Sequence, residues 1–66
     1  MQIIVNGTPR DISDRASLLT LLSELKLNPD TIVAELNREV IPKGKYAEVT
    51  LSEGDRLELI RFVGGG

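Results

Sequence analysis

The chain has 66 residues with eight basic and ten acidic side chains, a formal net charge of −2, and neither cysteine nor histidine. This excludes disulfide staples, the usual zinc ligand sets, thiol nucleophiles and imidazole acid–base catalysis. The fold must rest on aliphatic packing in one domain, small enough to bury only about 60% of its unfolded surface.

Other classes are excluded by what the sequence lacks. No basic stripe and almost no aromatic side chains are available for phosphates or bases, so nucleic-acid binding is not expected. No apolar run approaches the roughly 20 residues of a membrane span. The start MQIIVNG lacks the basic region, apolar core and cleavage site of a signal peptide, so the expected location is cytoplasmic.

In chain order, MQIIVNG reads as a strand ending at Asn6-Gly7, the strongest short-range hairpin signal because both residues tolerate positive φ. The returning strand spans Thr8 to Ile12, and Pro9 places it at a sheet edge. In SDRASLLTLLSELKLNPD, Leu18, Leu21, Leu22 and Leu25 fall at i, i+3, i+4 and i+7, one stripe of an amphipathic helix. Asp14 or Ser17 caps its start, and Asn28-Pro29 ends it. TIVAELNREVIP alternates as a strand, with Ile32, Ala34 and Leu36 on one side and Val33 and Glu35 on the other. It turns at Asn37-Arg38-Glu39 into a short strand around Val40-Ile41, broken by Pro42. KGKYAEVTLSEGD is an irregular connection with a short helical turn near Tyr46. Glu53-Gly54-Asp55 then leads into the last strand, Arg56 to Val63.

This order predicts an α+β fold, a mixed sheet of four to five strands with one helix packed across one face. Period-two alternation separates Met1, Ile3 and Val5 from Gln2 and Ile4, and Leu57, Leu59 and Val63 from Glu58, Ile60 and Phe62. If the first set of each strand faces the helix, Ile4, Val33, Ile60 and Phe62 line the open face. A contiguous apolar patch there reads as a partner-docking surface.

No phosphate-binding glycine loop occurs, and Lys43-Gly44-Lys45 reads as a surface turn. The carboxylates sit singly beside Lys or Arg, so autonomous catalysis is not expected and no metal site is predicted. The remaining chemistry lies in Gly64, Gly65 and Gly66. Glycine carries the largest backbone entropy and no side chain. The expected organisation is therefore a domain over residues 1–63 and a flexible, thin tail over 64–66, able to thread a narrow enzyme channel. The α-carboxylate of Gly66 can be activated without a reactive side chain, because conversion to an acyl-adenylate supplies a leaving group that sulfur or an amine displaces.

The order of elements together with the Gly-Gly terminus resembles the ubiquitin-like β-grasp superfamily. Within it the chain is similar to the ThiS family, the sulfur carriers of thiamine biosynthesis. The stretches that carry the resemblance are MQIIVNG, LNREVIP and EGDRLELIRFVGGG. The resemblance implies that an E1-like adenylating enzyme docks the open face and uses Mg-ATP to adenylate Gly66. Sulfur from a persulfide donor then gives a terminal thiocarboxylate, which thiazole synthase accepts. Gly65 and Gly66 match the family's terminal pair, and Gly64 is additional. The carrier itself would bind no cofactor. Two alternatives share the terminus. Sulfur carriers of molybdenum-cofactor synthesis tend to be longer, with prolines before the glycines. A ubiquitin-like modifier would be conjugated through Gly66 to lysines.

Overall fold

The computed structural model describes residues 1–62. It contains β1 (Gln2–Val5), β2 (Thr8–Asp11), helix α1 (Leu18–Glu24), β3 (Ile32–Leu36), β4 (Glu39–Ile41) and β5 (Arg56–Arg61). The strands form one mixed sheet in the order β2-β1-β5-β3-β4, with the β1–β5 pairing parallel and the other three antiparallel. With α1 lying across one face, this is the expected α+β, β-grasp arrangement. Val63 and the glycines Gly64, Gly65 and Gly66 lie outside the described residues. So do the end expected for the last strand and the tail expected over 64–66.

Each hairpin has a local cause. Asn6 and Gly7 both take positive φ (49° and 81°), the two-residue turn whose twist matches the flanking strands. Ile4 donates its N–H to Asp55 O, towards β5, at 2.9 Å. Its cross-strand partner Pro9 therefore sits at a position whose missing N–H would have faced the open edge. The proline costs the ladder nothing and blunts the edge. Asn37 and Arg38 repeat the positive-φ turn between β3 and β4.

Ser17, rather than Asp14, caps the helix, its Oγ accepting the Thr20 N–H at 3.0 Å. The helix is shorter than Asn28-Pro29 implies. It ends at Glu24 because Lys26 adopts a left-handed conformation (φ 59°), donating its N–H to Ser23 O while Leu27 donates to Leu22 O. This double bond pattern closes the helix and turns Leu27 back onto the core. A lysine there bears a Cβ penalty of about 1–2 kcal/mol that glycine escapes. Lys26→Gly should therefore raise stability by roughly 0.5–1 kcal/mol after glycine's own entropy cost, measured as a higher denaturation midpoint with unchanged slope.

The core lies between α1 and the sheet. Ile3, Val5, Leu18, Leu21, Leu22, Ile32, Ala34, Leu57 and Leu59 are all buried, so Ile3 and Val5 of the first strand and Leu57 and Leu59 of the last face the helix as expected, while Val63 lies outside the described residues. Lys43–Lys45 forms the expected helical turn before Tyr46. The buried Tyr46 hydroxyl donates to Ile32 O at 3.1 Å. That carbonyl points to the side where β4 has already ended, its last register partner being Ala34↔Ile41. The phenol therefore replaces a missing ladder donor. Tyr46→Phe should cost about 1–3 kcal/mol, the penalty of an unpaired buried acceptor, read from chemical denaturation.

Candidate functional site

The last strand to be made is the central one. β5 lies between β1 and β3, so the end of the described chain leaves from the middle of the sheet. Two turn asparagines hold it there. Asn6 accepts the Leu59 N–H on Oδ1 at 2.8 Å and donates from Nδ2 to Leu59 O at 3.2 Å, extending the β1–β5 ladder by a side-chain amide. On the other side Asn37 Oδ1 accepts the Arg56 N–H at 2.9 Å. Beyond β5, Phe62 still donates its N–H to Thr31 O at 3.0 Å. Phe62, two positions before Gly64 in the sequence, is therefore the last described residue held to the sheet, and is termed the tail root.

The open face carries the side chains expected there, in a different grouping. Val33 is directly opposite Ile60 in the β3–β5 register, and Phe62 follows on the same face. Ile60 is 52% and Phe62 42% exposed, an apolar cluster at the tail root. Ile4 is half-buried and stands apart. It pairs with Arg56, four residues before Ile60, which separates them by roughly 13 Å along the strand. Between them lie Glu35 and Glu58, directly opposite one another, an arrangement of like charges that weakens a sheet rather than strengthening it. The patch therefore comprises Val33, Ile60 and Phe62, and a polar row divides it from Ile4. Alternation alone misses this because it assigns faces but not register.

Val40, 61% exposed and opposite Glu35, also lies on this face. Simple alternation carried through the Asn37-Arg38 turn would have put it on the helix side; the two-residue turn pairs Leu36 with Glu39 and so reverses the parity, which sets Val40 on the face of Val33 and Glu35. On the helix side, a groove of about 490 Å³ lies at the same end of the sheet, between the β1–β2 hairpin and the residues after α1. The sequence reading did not single it out. Its Arg10 and Arg61 were hidden in strands read for their apolar positions.

Lys43 is held above its ordinary value by its hydrogen bond to Asp30, Nζ to Oδ1 at 2.6 Å. This ion pair is exposed and screened by solvent. Any stability it adds is present below the ordinary lysine value and lost as pH rises through the raised one. It ties the turn after β4 to the segment that precedes β3. Among the described residues no cluster of carboxylates is arranged to hold a metal ion, and no helix is long and apolar enough to cross a membrane. What the site offers is an apolar face beside the root of a glycine tail.

Comparison with known proteins places this architecture. The family model described as "ThiS family" matches residues 3–66. Over all 66 residues the chain is 38% identical to a protein named thiazole synthase from Paramagnetospirillum magneticum, and 36% identical to one of the same name from Magnetococcus marinus. The chain spans only 20% of the length of each of these two relatives. It is 38% identical over 53 residues to the sulfur carrier protein ThiS of Bacillus subtilis, covering 80% of both chains. The crystal structure of the thiamine biosynthesis protein ThiS from Geobacter metallireducens superposes with a TM-score of 0.86 at 33% identity, covering both chains completely. A β-grasp body with this register, and a family match that runs from β1 through the terminal glycines, lead to one assignment: the chain belongs to the ThiS family.

Proposed function

We propose that this chain is a sulfur carrier of thiamine biosynthesis, a co-substrate rather than a catalyst, working in the cytoplasm. The observation that carries this reading is the family match from Ile3 through Gly66, which makes the glycine tail part of the matched unit. The apolar cluster of Val33, Ile60 and Phe62 at the tail root supports it. Such a patch lets an enzyme grip the body while the tail reaches its active site.

The chemistry follows from the tail's one functional group. An E1-like adenylating enzyme, docked on the open face, joins the Gly66 carboxylate to the α-phosphate of Mg-bound ATP and releases pyrophosphate. The terminal sulfur of a persulfide then attacks the acyl carbon and expels AMP. Cleavage of the resulting acyl disulfide by a second thiol leaves the thiocarboxylate. Thiazole synthase accepts that sulfur. The relatives that bear this enzyme's name and contain a segment like the whole chain support such a partnership. Gly64 and Gly65 supply the thin, side-chain-free approach that a narrow channel requires. Neither ATP nor magnesium resides on the carrier.

The test is the mass of the FVGGG peptide released by cleavage after Arg61, from protein purified out of its own cells. Replacement of one oxygen by sulfur on that peptide is the expected result. Cleavage matters because oxidation of Met1 adds nearly the same mass at the other end. An unmodified peptide, even after incubation with the adenylating enzyme, ATP and a persulfide donor, overturns the reading. Lysine-linked adducts through Gly66 would favour the modifier instead.

A further inference from the structure

The helix is too short to cover the sheet. Seven residues span about 10 Å, whereas the six residues of β5 extend about 20 Å. The left-handed turn at Lys26 then ends the helix and brings Leu27 down beside the sheet. What remains uncovered is the groove at the tail-root end of the sheet, on the face opposite the Val33–Ile60–Phe62 cluster. Val5, Leu25, Leu27, Ile32 and Leu59 give it an apolar floor.

Two guanidinium groups line it. Register places Arg10 beside Ile3 and Arg61 beside Ile32, both on the helix side. Among the described residues no carboxylate lines the groove and neither arginine forms an ion pair. Both arginines are exposed. In a protein of net charge −2 this is a local concentration of positive charge over apolar surface. Arginine in that setting recognises carboxylates, often through two parallel hydrogen bonds.

We infer that this groove is a second docking surface. Its occupant is a segment of the sulfur-accepting enzyme that presents a carboxylate beside an apolar side chain. The inference rests on the sulfur-carrier reading and deepens it. The tail root, at Phe62, lies between the groove and the apolar cluster. One enzyme can hold the open face, and the next can engage the helix side, before or after the first has left. Charge complementarity sets the occupant's chemistry, because an apolar segment without an acid would leave both guanidinium groups desolvated and unpaired.

The experiment uses the full-length chain, isotope-labelled, with thiazole synthase as the probe. Amide shifts on titration should map to Thr8, Arg10, Leu25, Leu27 and Arg61. Reversing both charges, in the double variant Arg10→Glu with Arg61→Glu, should weaken that binding about tenfold or more, as expected for opposed charges at an interface. Its affinity for the adenylating enzyme should stay within about twofold, since that contact uses the other face. If the reversed variant does not fold, the neutral pair Arg10→Gln with Arg61→Gln should still weaken binding by about threefold or more. Shifts confined to Val33, Ile60 and Phe62, with unchanged affinity of the charge variants, overturn the groove and leave the carrier reading standing. Failure of the unaltered chain to bind thiazole synthase at all overturns the groove and also counts against thiazole synthase as acceptor; the mass of the FVGGG peptide then decides the carrier reading independently.

Discussion

Deleting Gly65 and Gly66 should abolish sulfur loading and leave the thermal midpoint of the body unchanged within a degree or so. The two effects separate because the last described backbone contact of the sheet is made by Phe62, to Thr31 O. Among the described residues, every buried core residue precedes it, from Ile3 to Leu59. The deletion therefore removes none of these packed side chains. The chemistry, by contrast, depends on where the carboxylate sits. After the deletion the terminal carboxylate belongs to Gly64, two residues or roughly 7 Å closer to the body. An acyl-adenylate forms only when the reacting atoms approach to about 3–3.5 Å, and an error of one ångström already costs orders of magnitude. Gly66→Ala is the graded version. It keeps the length and adds one methyl beside the reacting carbon, so loading should fall without a change in folding. The readout is the FVGGG-type peptide mass after incubation with the adenylating enzyme, ATP and a persulfide donor. Full loading of Gly66→Ala would remove the narrow-channel argument, and full loading of the truncated chain would remove Gly66 as the required acceptor.

The second large effect is expected at two adjacent residues. Leu59→Lys should leave the domain largely unfolded, whereas Ile60→Lys should fold and lose affinity for the adenylating enzyme. Leu59 is 8% exposed on the helix side, and Ile60 is 52% exposed on the open side. Removing a packed leucine costs about 2–5 kcal/mol before the ammonium is considered. A domain of this size has only about 3–5 kcal/mol in hand. At Ile60 the added ammonium stays in water and faces Glu58 and Glu35 along the same surface, so stability should change by less than about 0.5 kcal/mol. Circular dichroism in denaturant measures the first quantity, and titration calorimetry with the adenylating enzyme the second. Equal loss of folding in both variants would show that Ile60 is core, and the open face would then cease to be a docking surface.

The contrast at 59 and 60 marks how much of this protein can be read in one dimension. Alternation along β5 separates the two residues correctly because side chains on a strand must point to opposite faces. The same reasoning found the helix from its leucine stripe and the first hairpin from Asn6-Gly7. It mispositioned the helix end, because the stop is a lysine in a left-handed conformation, and nothing in a lysine signals that. It also grouped Ile4 with Ile60. Faces follow from parity, but neighbours across strands follow from register, and register was set by contacts distant in sequence.

By itself the sequence determined the inventory and the local geometry. There is no thiol or imidazole to do chemistry, the strands have one apolar face, the turns sit where positive φ is tolerated, and residues 64–66 are all glycine. These are decided by residue type and by spacing within a few positions. Only the tertiary structure decided that the last strand becomes the central one, held on one side by the Asn6 amide and on the other by Asn37. Only it decided that the tail root emerges between an apolar cluster on one face and an arginine-lined groove on the other. The reason is that β5 pairs with strands begun some 50 and 25 positions earlier. Such pairings form when burying Leu57 and Leu59 outweighs the entropy of closing long loops, a balance that belongs to the whole chain and to no single stretch of it.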